Sequence, residues 1–580
     1  MSNGPRRGHY GAVSTAKNTA NAAIYYVPEG YTVAGPKLMG RHSAGEGFLN
    51  GFLRHAAADT LYCYASGRAH ADDFAKRAKE AGNGKPVVWI DKAQPAGLAQ
   101  AGTLYLPDPG VAEAAWRRRA GDQRRYSIVG VTHTTASFAA MDGITALVSA
   151  PVQEWDGLVC TSKAVRETVT YVLDAQAEYL AARHGAQHFP RPQLPVIPLG
   201  VDTEALAPDA ARRGAWRKKL EIADDDIAVL FVGRLSFHGK AHPLPMYVGL
   251  EQAARAAGKK AHLIQAGWFA NKYIEKAFVD GAKSFCPSVR CLFLDARQDD
   301  VRKNVWQAAD IFTSLSDNIQ ETFGLTPIEA MAAGLPSVVT DWNGYRDTVR
   351  HGEDGLRVPT VAPPPGWGED LADGHAAQTI TYDVYCGIAS QLVAVDPAAA
   401  AAAYRTLMTD AALRRKQGAA ARARAIELFD WRVVVGRYQE FWAELGERRR
   451  AAAESAARKA GAPSHPARAD PFRAMAGYAT ATLAGGDEIE LMPGAKAEVF
   501  DTLARTPLLN LGRSAALKPE DMHRLIGELA KSKRARVADL AASWPAERRI
   551  RMQRSLLWLA KMGMVRVHRP GPPKNGGGKA

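Results

Sequence analysis

Cysteine is scarce in this chain. Five in 580 residues, at Cys63, Cys160, Cys286, Cys291 and Cys386, make no disulfide framework, and Cys286-x4-Cys291 has no second half to complete a zinc spacing. A reducing compartment is expected. No run of about 18 apolar residues occurs, so no membrane-spanning helix is expected, and the polar stretch after Met1 has no apolar core for a secretory signal. These absences point to the cytoplasm, with room for peripheral attachment at the inner membrane face. No His, Cys or acidic cluster is spaced as a metal site.

Apolar residues, by contrast, make up 47% of a chain of 580, which is too long for one ordinary domain and rich enough for several cores. The net charge of +14 is uneven: Lys531 to Ala580 holds thirteen Lys or Arg against only Asp539 and Glu547.

The most informative stretch runs from Asp317 to Asp341. Its residues predict loop, helix and strand: Thr326 as N-cap, Pro327 in the first turn and Glu329 completing a capping box, then Gly334 and Pro336 as the stop before Val338-Val339-Thr340. Gly324 lets backbone approach a ligand where the free N–H groups of that helix point, a favourable place for phosphate. Glu321 and Glu329 flank the spot.

This pair, with seven residues between its members, within E-T-F-G-L-T-P-I-E-A-M-A-A-G-L-P, resembles the E-x7-E signature of retaining glycosyltransferases of GT-B type, family 4. The resemblance implies an α/β fold of two Rossmann-like doubly wound domains facing across a cleft. It also implies that Glu329 holds the ribose of a nucleotide-sugar, that Glu321 lies near the sugar, and that Phe323, Gly324, Leu325 and Thr326 lie near hexose and phosphate. Arg234 and Lys240 match the family's diphosphate-binding cations, with a spacing one residue longer than the commoner one. His133, in Thr132-His133-Thr134 after a strand, matches a position near the transferred sugar.

The other candidates are weaker. Gly35 belongs to a segment with five glycines between Gly30 and Gly47, predicted as a strand-to-helix loop lining the cleft. Trp268, after the strand at 262–265, is placed to stack near a base or to fill core.

In order, the chain reads as a flexible arm (1–20), an N-terminal Rossmann-like acceptor domain (21–199) and a nucleotide-sugar-binding domain (200–397). Closing helices (398–447) cross back to the first domain, followed by a linker (448–470), a basic winged-helix-like domain (471–570) and a flexible tail (571–580). Residues 361–374 read as a Pro/Gly-rich loop. In the basic domain Arg548, Arg549, Arg551 and Arg554 are expected to face phosphates, and Leu556, Leu557, Leu559 and Met562 the core.

The function expected from the resemblance is retaining hexosyl transfer from a nucleotide diphosphate-sugar, with UDP or GDP as carrier, to a glycan or lipid-linked acceptor. The setting would be polysaccharide or glycoconjugate synthesis. The sugar nucleotide is a co-substrate, and neither cofactor nor metal is expected. The basic domain is expected to dock on an anionic membrane or protein surface, with nucleic acid a less favoured partner. The alternative is a regulator that senses sugar nucleotides and binds nucleic acid through its basic domain.

Overall fold

The computed structural model describes residues 20–33 and 40–569; Gly35 and both terminal segments lie outside them. The chain divides into two compact units, Met1–His465 and Pro466–Ala580.

The larger unit is built on two six-stranded parallel sheets. The first comprises β1 (Ala23–Tyr25), β2 (Leu61–Ala65), β3 (Val87–Asp91), β4 (Thr103–Tyr105), β5 (Ser127–Val131) and β6 (Gly157–Val159). The second comprises β7 (Ile227–Val232), β8 (Ala261–Gly267), β9 (Arg290–Asp295), β10 (Ile311–Ser314), β11 (Ser337–Thr340) and β12 (Gly355–Val358). Their spatial orders, β3-β2-β1-β4-β5-β6 and β12-β11-β10-β7-β8-β9, are the same doubly wound order read from opposite edges. This is the GT-B architecture that the sequence implied.

Strand sequence explains why both faces of each sheet are covered. In β7 the run Ile-Ala-Val-Leu-Phe-Val is apolar throughout, because a parallel strand flanked by crossover helices has no wet face. Ile227, Val229 and Phe231 enter one core, while Ala228 and Leu230 enter the core on the opposite face. Such sheets bind ligands beyond the carboxyl ends of their strands, where the order reverses. His133 follows β5, Arg234 follows β7, and the loop carrying Glu321 follows β10.

The helix Trp431–Ala451 packs on the first sheet, burying Val434, Val435, Tyr438, Phe441, Trp442 and Leu445 with Phe48 and Phe52. Residues assigned to a linker continue onto the same surface. Gln153 exchanges hydrogen bonds with the Ser455 backbone at 3.0 and 2.9 Å, and Arg119 donates to the carbonyls of Pro463 and Ser464.

Several local expectations need correction. Gly40–His55 is a helix, so Gly40, Gly45 and Gly47 do not belong to a loop. The glycines are there for contact: a Cβ at Gly45 would lie 2.4 Å from the Gly30 carbonyl oxygen, and one at Gly51 2.6 Å from Trp431. Packing has outweighed helix propensity. Within 361–374, Glu369 already begins a helix to Ala376, paired with a second helix, Tyr382–Gln391.

The smaller unit has a three-stranded antiparallel sheet with Glu488–Leu491 between Arg534–Arg536 and Val565–His568. Helices Pro519–Ser532, Val537–Ala542 and Ala546–Lys561 pack on it through Met522, Leu525, Leu529, Leu540, Met552, Leu556 and Leu559. The middle strand precedes all three helices in the chain, whereas a winged helix-turn-helix takes its wing from a hairpin after them. Leu557, expected in the core, is 49% exposed, because helical periodicity turns Met552 inward in its place.

Candidate functional site

The loop after β10 folds by satisfying its own polar groups. Asn318 Oδ1 accepts from the Gln320 backbone at 2.9 Å, and its amide donates to the His238 carbonyl at 2.9 Å, joining this loop to the one after β7. Asn343, at a φ of 45°, donates to the Glu321 carbonyl.

The helix then starts two residues earlier than expected. It spans Leu325–Ala332 with Gly324 as N-cap at a φ of 91°, a region costly for any residue with a Cβ. The predicted capping box is therefore absent: Thr326 sits inside the first turn, and its hydroxyl is buried without a partner. A Cβ on Gly324 would lie 2.2 Å from the Tyr345 ring. Glycine is required here to seat the helix start against that tyrosine.

Around this helix start the structure assembles most of the expected residues. Lys240 donates to Glu321 Oε2, and the Tyr345 hydroxyl, itself 2.7 Å from Ser314 Oγ, lies 3.4 Å from the same oxygen. The longer Arg234–Lys240 spacing is taken up by a turn on Ser236, whose carbonyl accepts from the Lys240 N–H at 3.0 Å. Arg234 donates to the Gly239 carbonyl at 2.9 Å and to Gln320 Oε1 at 2.8 Å, so its guanidinium is anchored beside the ion pair. His133 reaches the same place from the first domain, its carbonyl accepting from the Thr322 hydroxyl at 3.1 Å.

Burial shapes the charges. Desolvation works against both partners of the Lys240–Glu321 pair, yet each holds the other ionised: Glu321 below the usual carboxylate range, Lys240 above the usual ammonium range. Burial pushes His133 down to about 4, so its ring is neutral at ordinary pH. Glu329 behaves oppositely to Glu321. Burial raises its carboxyl to about 7, and the more distant charges of Lys240 and Arg302 only partly compensate.

Glu329 opens onto a cavity of about 600 Å³. Its walls come from the helix Gly40–His55 (Gly47, Gly51, Arg54), the crossover Gly200–Thr203, Arg302, Lys303, Leu325 and the start of the crossing helix at Trp431. Arg54 crosses it to Asp202 at 2.7 Å.

The side chains of Phe323 and Trp268 do not line the cavity. Phe323 is buried against Phe429, ring centroids 6.1 Å apart, and supports the loop from behind. Trp268 lies at the end of β8, its carbonyl accepting from the Leu235 N–H at 3.1 Å, away from the walls of the cavity. Gln320, Asn343 and Tyr345 escaped sequence reading. The turn-forming Asn343-Gly344 pair was the one local signal, since a Cβ at Gly344 would lie 2.4 Å from Phe323 Cα.

The helical pair Glu369–Ala376 and Tyr382–Gln391 closes one side of this assembly. Gln320 donates to Cys386 Sγ at 3.9 Å, and His375 stacks between Phe138 and Tyr385 at centroid distances of 4.0 and 4.4 Å. Phe138 belongs to the first domain.

Residues 212–363 match the family model described as "Glycosyl transferases group 1". A D-inositol 3-phosphate glycosyltransferase of Nocardia farcinica is 30% identical over 185 residues, 32% of this chain and 39% of that protein's length. The enzyme of the same name from Xylanimonas cellulosilytica is 26% identical over 342 residues, covering 55% of this chain and 68% of its own. Among solved structures, Anabaena HepE in complex with UDP aligns over 73% of this chain and 100% of its own at 15% identity and a TM-score of 0.47. Sucrose-phosphate synthase from Thermosynechococcus elongatus covers 73% of this chain and 96% of its own at 18% identity and a TM-score of 0.42.

Proposed function

With residues 212–363 a glycosyl transferases group 1 domain, we propose that the protein moves a hexosyl group, with retention, from a nucleotide diphosphate-sugar to a glycan or lipid-linked acceptor. The observation that carries this reading is the buried Lys240–Glu321 pair at the start of the Leu325–Ala332 helix, with His133 held to the same loop through its carbonyl and Glu329 eight residues on in the cavity wall.

Each element has a task in such a transfer. Glu329, once ionised, accepts hydrogen bonds from the two ribose hydroxyls. Lys240, Arg234 and the free N–H groups of the helix start stabilise the charge that grows on the departing diphosphate. Glu321 keeps Lys240 ionised until a phosphate takes its place, and then lies near the sugar. The neutral His133 can accept a hydrogen bond from a sugar hydroxyl without adding positive charge beside an oxocarbenium-like centre. Front-face displacement, with the leaving phosphate deprotonating the acceptor, is the course the family resemblance implies. Synthesis of a cell-surface polysaccharide or glycoconjugate is the proposed setting.

A thermal-shift panel of nucleotide-sugars, followed by kinetics with the stabilising donor, tests this. Glu329→Ala should mainly weaken donor binding, because a ribose contact is the same in ground and transition states, and Glu321→Ala should mainly lower kcat. Wild-type kinetics for both variants would overturn the assignment.

A further inference from the structure

The smaller unit leaves uncovered a surface that none of the transferase chemistry uses. On the helix Ala546–Lys561, Ile550, Arg554, Leu557 and Lys561 lie at helical spacing on one exposed stripe, with Ile550 64% and Leu557 49% exposed. Beside it runs the short helix Pro507–Ser514. Gly512 lies so close to the Trp558 indole that an added Cβ would sit 2.7 Å from Nε1. This segment carries Leu508 and Leu511, 91% and 93% exposed. Two leucines presented almost whole to water are costly in a free protein.

The charges around them are mostly basic: the helix Ala546–Lys561 carries five Lys or Arg against one acid, Glu547 in its first turn. Arg551, Arg554 and Lys561 are exposed and form no ion pair with any carboxylate among the described residues, and Arg505 lies two residues before the leucine-bearing segment. Arg548 and Arg549, also expected to face phosphates, are committed within the unit: Arg548 to Asp521 at 2.9 Å, Arg549 to the Trp544 carbonyl at 3.1 Å. Of the four arginines on this helix, Arg551 and Arg554 are thus the two left with neither a carboxylate nor a carbonyl partner among the described residues, and they lie next to the apolar side chains of the stripe.

We propose that this face docks the protein on an anionic lipid bilayer, with Leu508, Leu511, Ile550 and Leu557 entering the headgroup boundary and Arg551, Arg554 and Lys561 pairing with lipid phosphates. Charge complementarity selects an anionic partner, and the exposed leucines select a bilayer over a nucleic acid. Phosphodiester backbones reward cations and aromatic or polar side chains, and offer nothing to a leucine at the rim.

The experiment is co-sedimentation of the full chain with phosphatidylcholine vesicles, with and without phosphatidylglycerol, beside a gel shift on duplex DNA at the same salt. The wild type should bind only the vesicles that contain phosphatidylglycerol. Leu508→Asp/Leu511→Asp should lower that partition at least about tenfold, and Arg551→Ala/Arg554→Ala about fivefold per charge removed. All four side chains are exposed, so the thermal unfolding profile should be unchanged, and sugar transfer to a soluble acceptor should be kept. The proposal fails if the leucine variant binds vesicles like the wild type, if neutral and charged vesicles bind alike or not at all, or if DNA is bound more tightly than the charged vesicles.

Discussion

The opposite ionisation of the two glutamates makes a test that needs no knowledge of the sugar. Glu329 has an ordinary carboxyl pKa of 4.5 and is raised by burial to about 7. The folded state therefore binds a proton there that the unfolded chain releases, and this contribution to stability is full below about pH 4.5 and is lost as pH rises through 7. At 1.36 kcal/mol per unit, the ionised form costs about 3 kcal/mol as an upper bound, tempered by water that reaches the carboxylate through the cavity. A donor whose ribose hydroxyls hydrogen-bond the carboxylate needs the ionised form. Affinity should rise up to about tenfold per pH unit below 7 and level off above it, and binding near neutrality should release a proton. Calorimetry with a nucleotide-sugar, whose phosphates do not titrate in this range, measures both quantities when run in two buffers of different ionisation enthalpy. Glu329→Gln should bind with no pH slope and no proton release while unfolding like the wild type at low pH. A slope that survives this substitution would move the titrating group elsewhere and undo the ribose assignment.

Lys240→Ala should weaken nucleoside diphosphate binding more than nucleoside binding, and should lower stability by about 3–5 kcal/mol because Glu321 is left as an uncompensated buried charge; equal losses for both ligands in calorimetry would place Lys240 away from the diphosphate. Gly324→Ala must take a left-handed φ and push Tyr345 aside, so a loss of at least about 2 kcal/mol in denaturant unfolding is expected, with activity falling further than stability. Removing Pro466 onward should leave transfer to a soluble acceptor intact, since every residue of the cleft lies in the larger unit; a folded but inactive truncation would refute this.

Most strands were legible as short, largely apolar runs between turn residues, whereas Ile311–Ser314 and Gly355–Val358, which are short and carry Thr313, Ser314 and Arg357, were not read. Glu321 and Glu329 stood out through a long local motif, and Arg234 and Lys240 through a short one after β7. What stayed hidden depends on contacts distant in sequence. The N-cap fell to Gly324 and not Thr326 because Tyr345, twenty-one residues on, fills the space a side chain would need. Gly47 read as loop because its partner, Trp431, lies almost four hundred residues away. Leu557 looked like core for a simpler reason: an apolar residue in a basic helix matches either a buried or a docking face until its neighbours are placed.

That tryptophan has a mechanical consequence. Added Cβ atoms at Gly47, Gly51 and Gly200 would all fall within 3.0 Å of Trp431, which sits where the chain crosses back between the two domains, in the wall of the cavity. A ball in such a socket cannot slide, so opening of the cleft has to be a rotation with its axis near Trp431. Displacement then grows with distance from this pivot. The end that holds Glu329 stays nearly fixed, while the far rim, where Thr322 meets His133 and His375 rests on Phe138, travels furthest. A nucleoside would thus meet a ready-made seat, and the reacting end would be completed only as the rim swings shut. Spin labels across that rim should report a change on donor binding, and labels flanking Gly51 and Trp431 should report almost none.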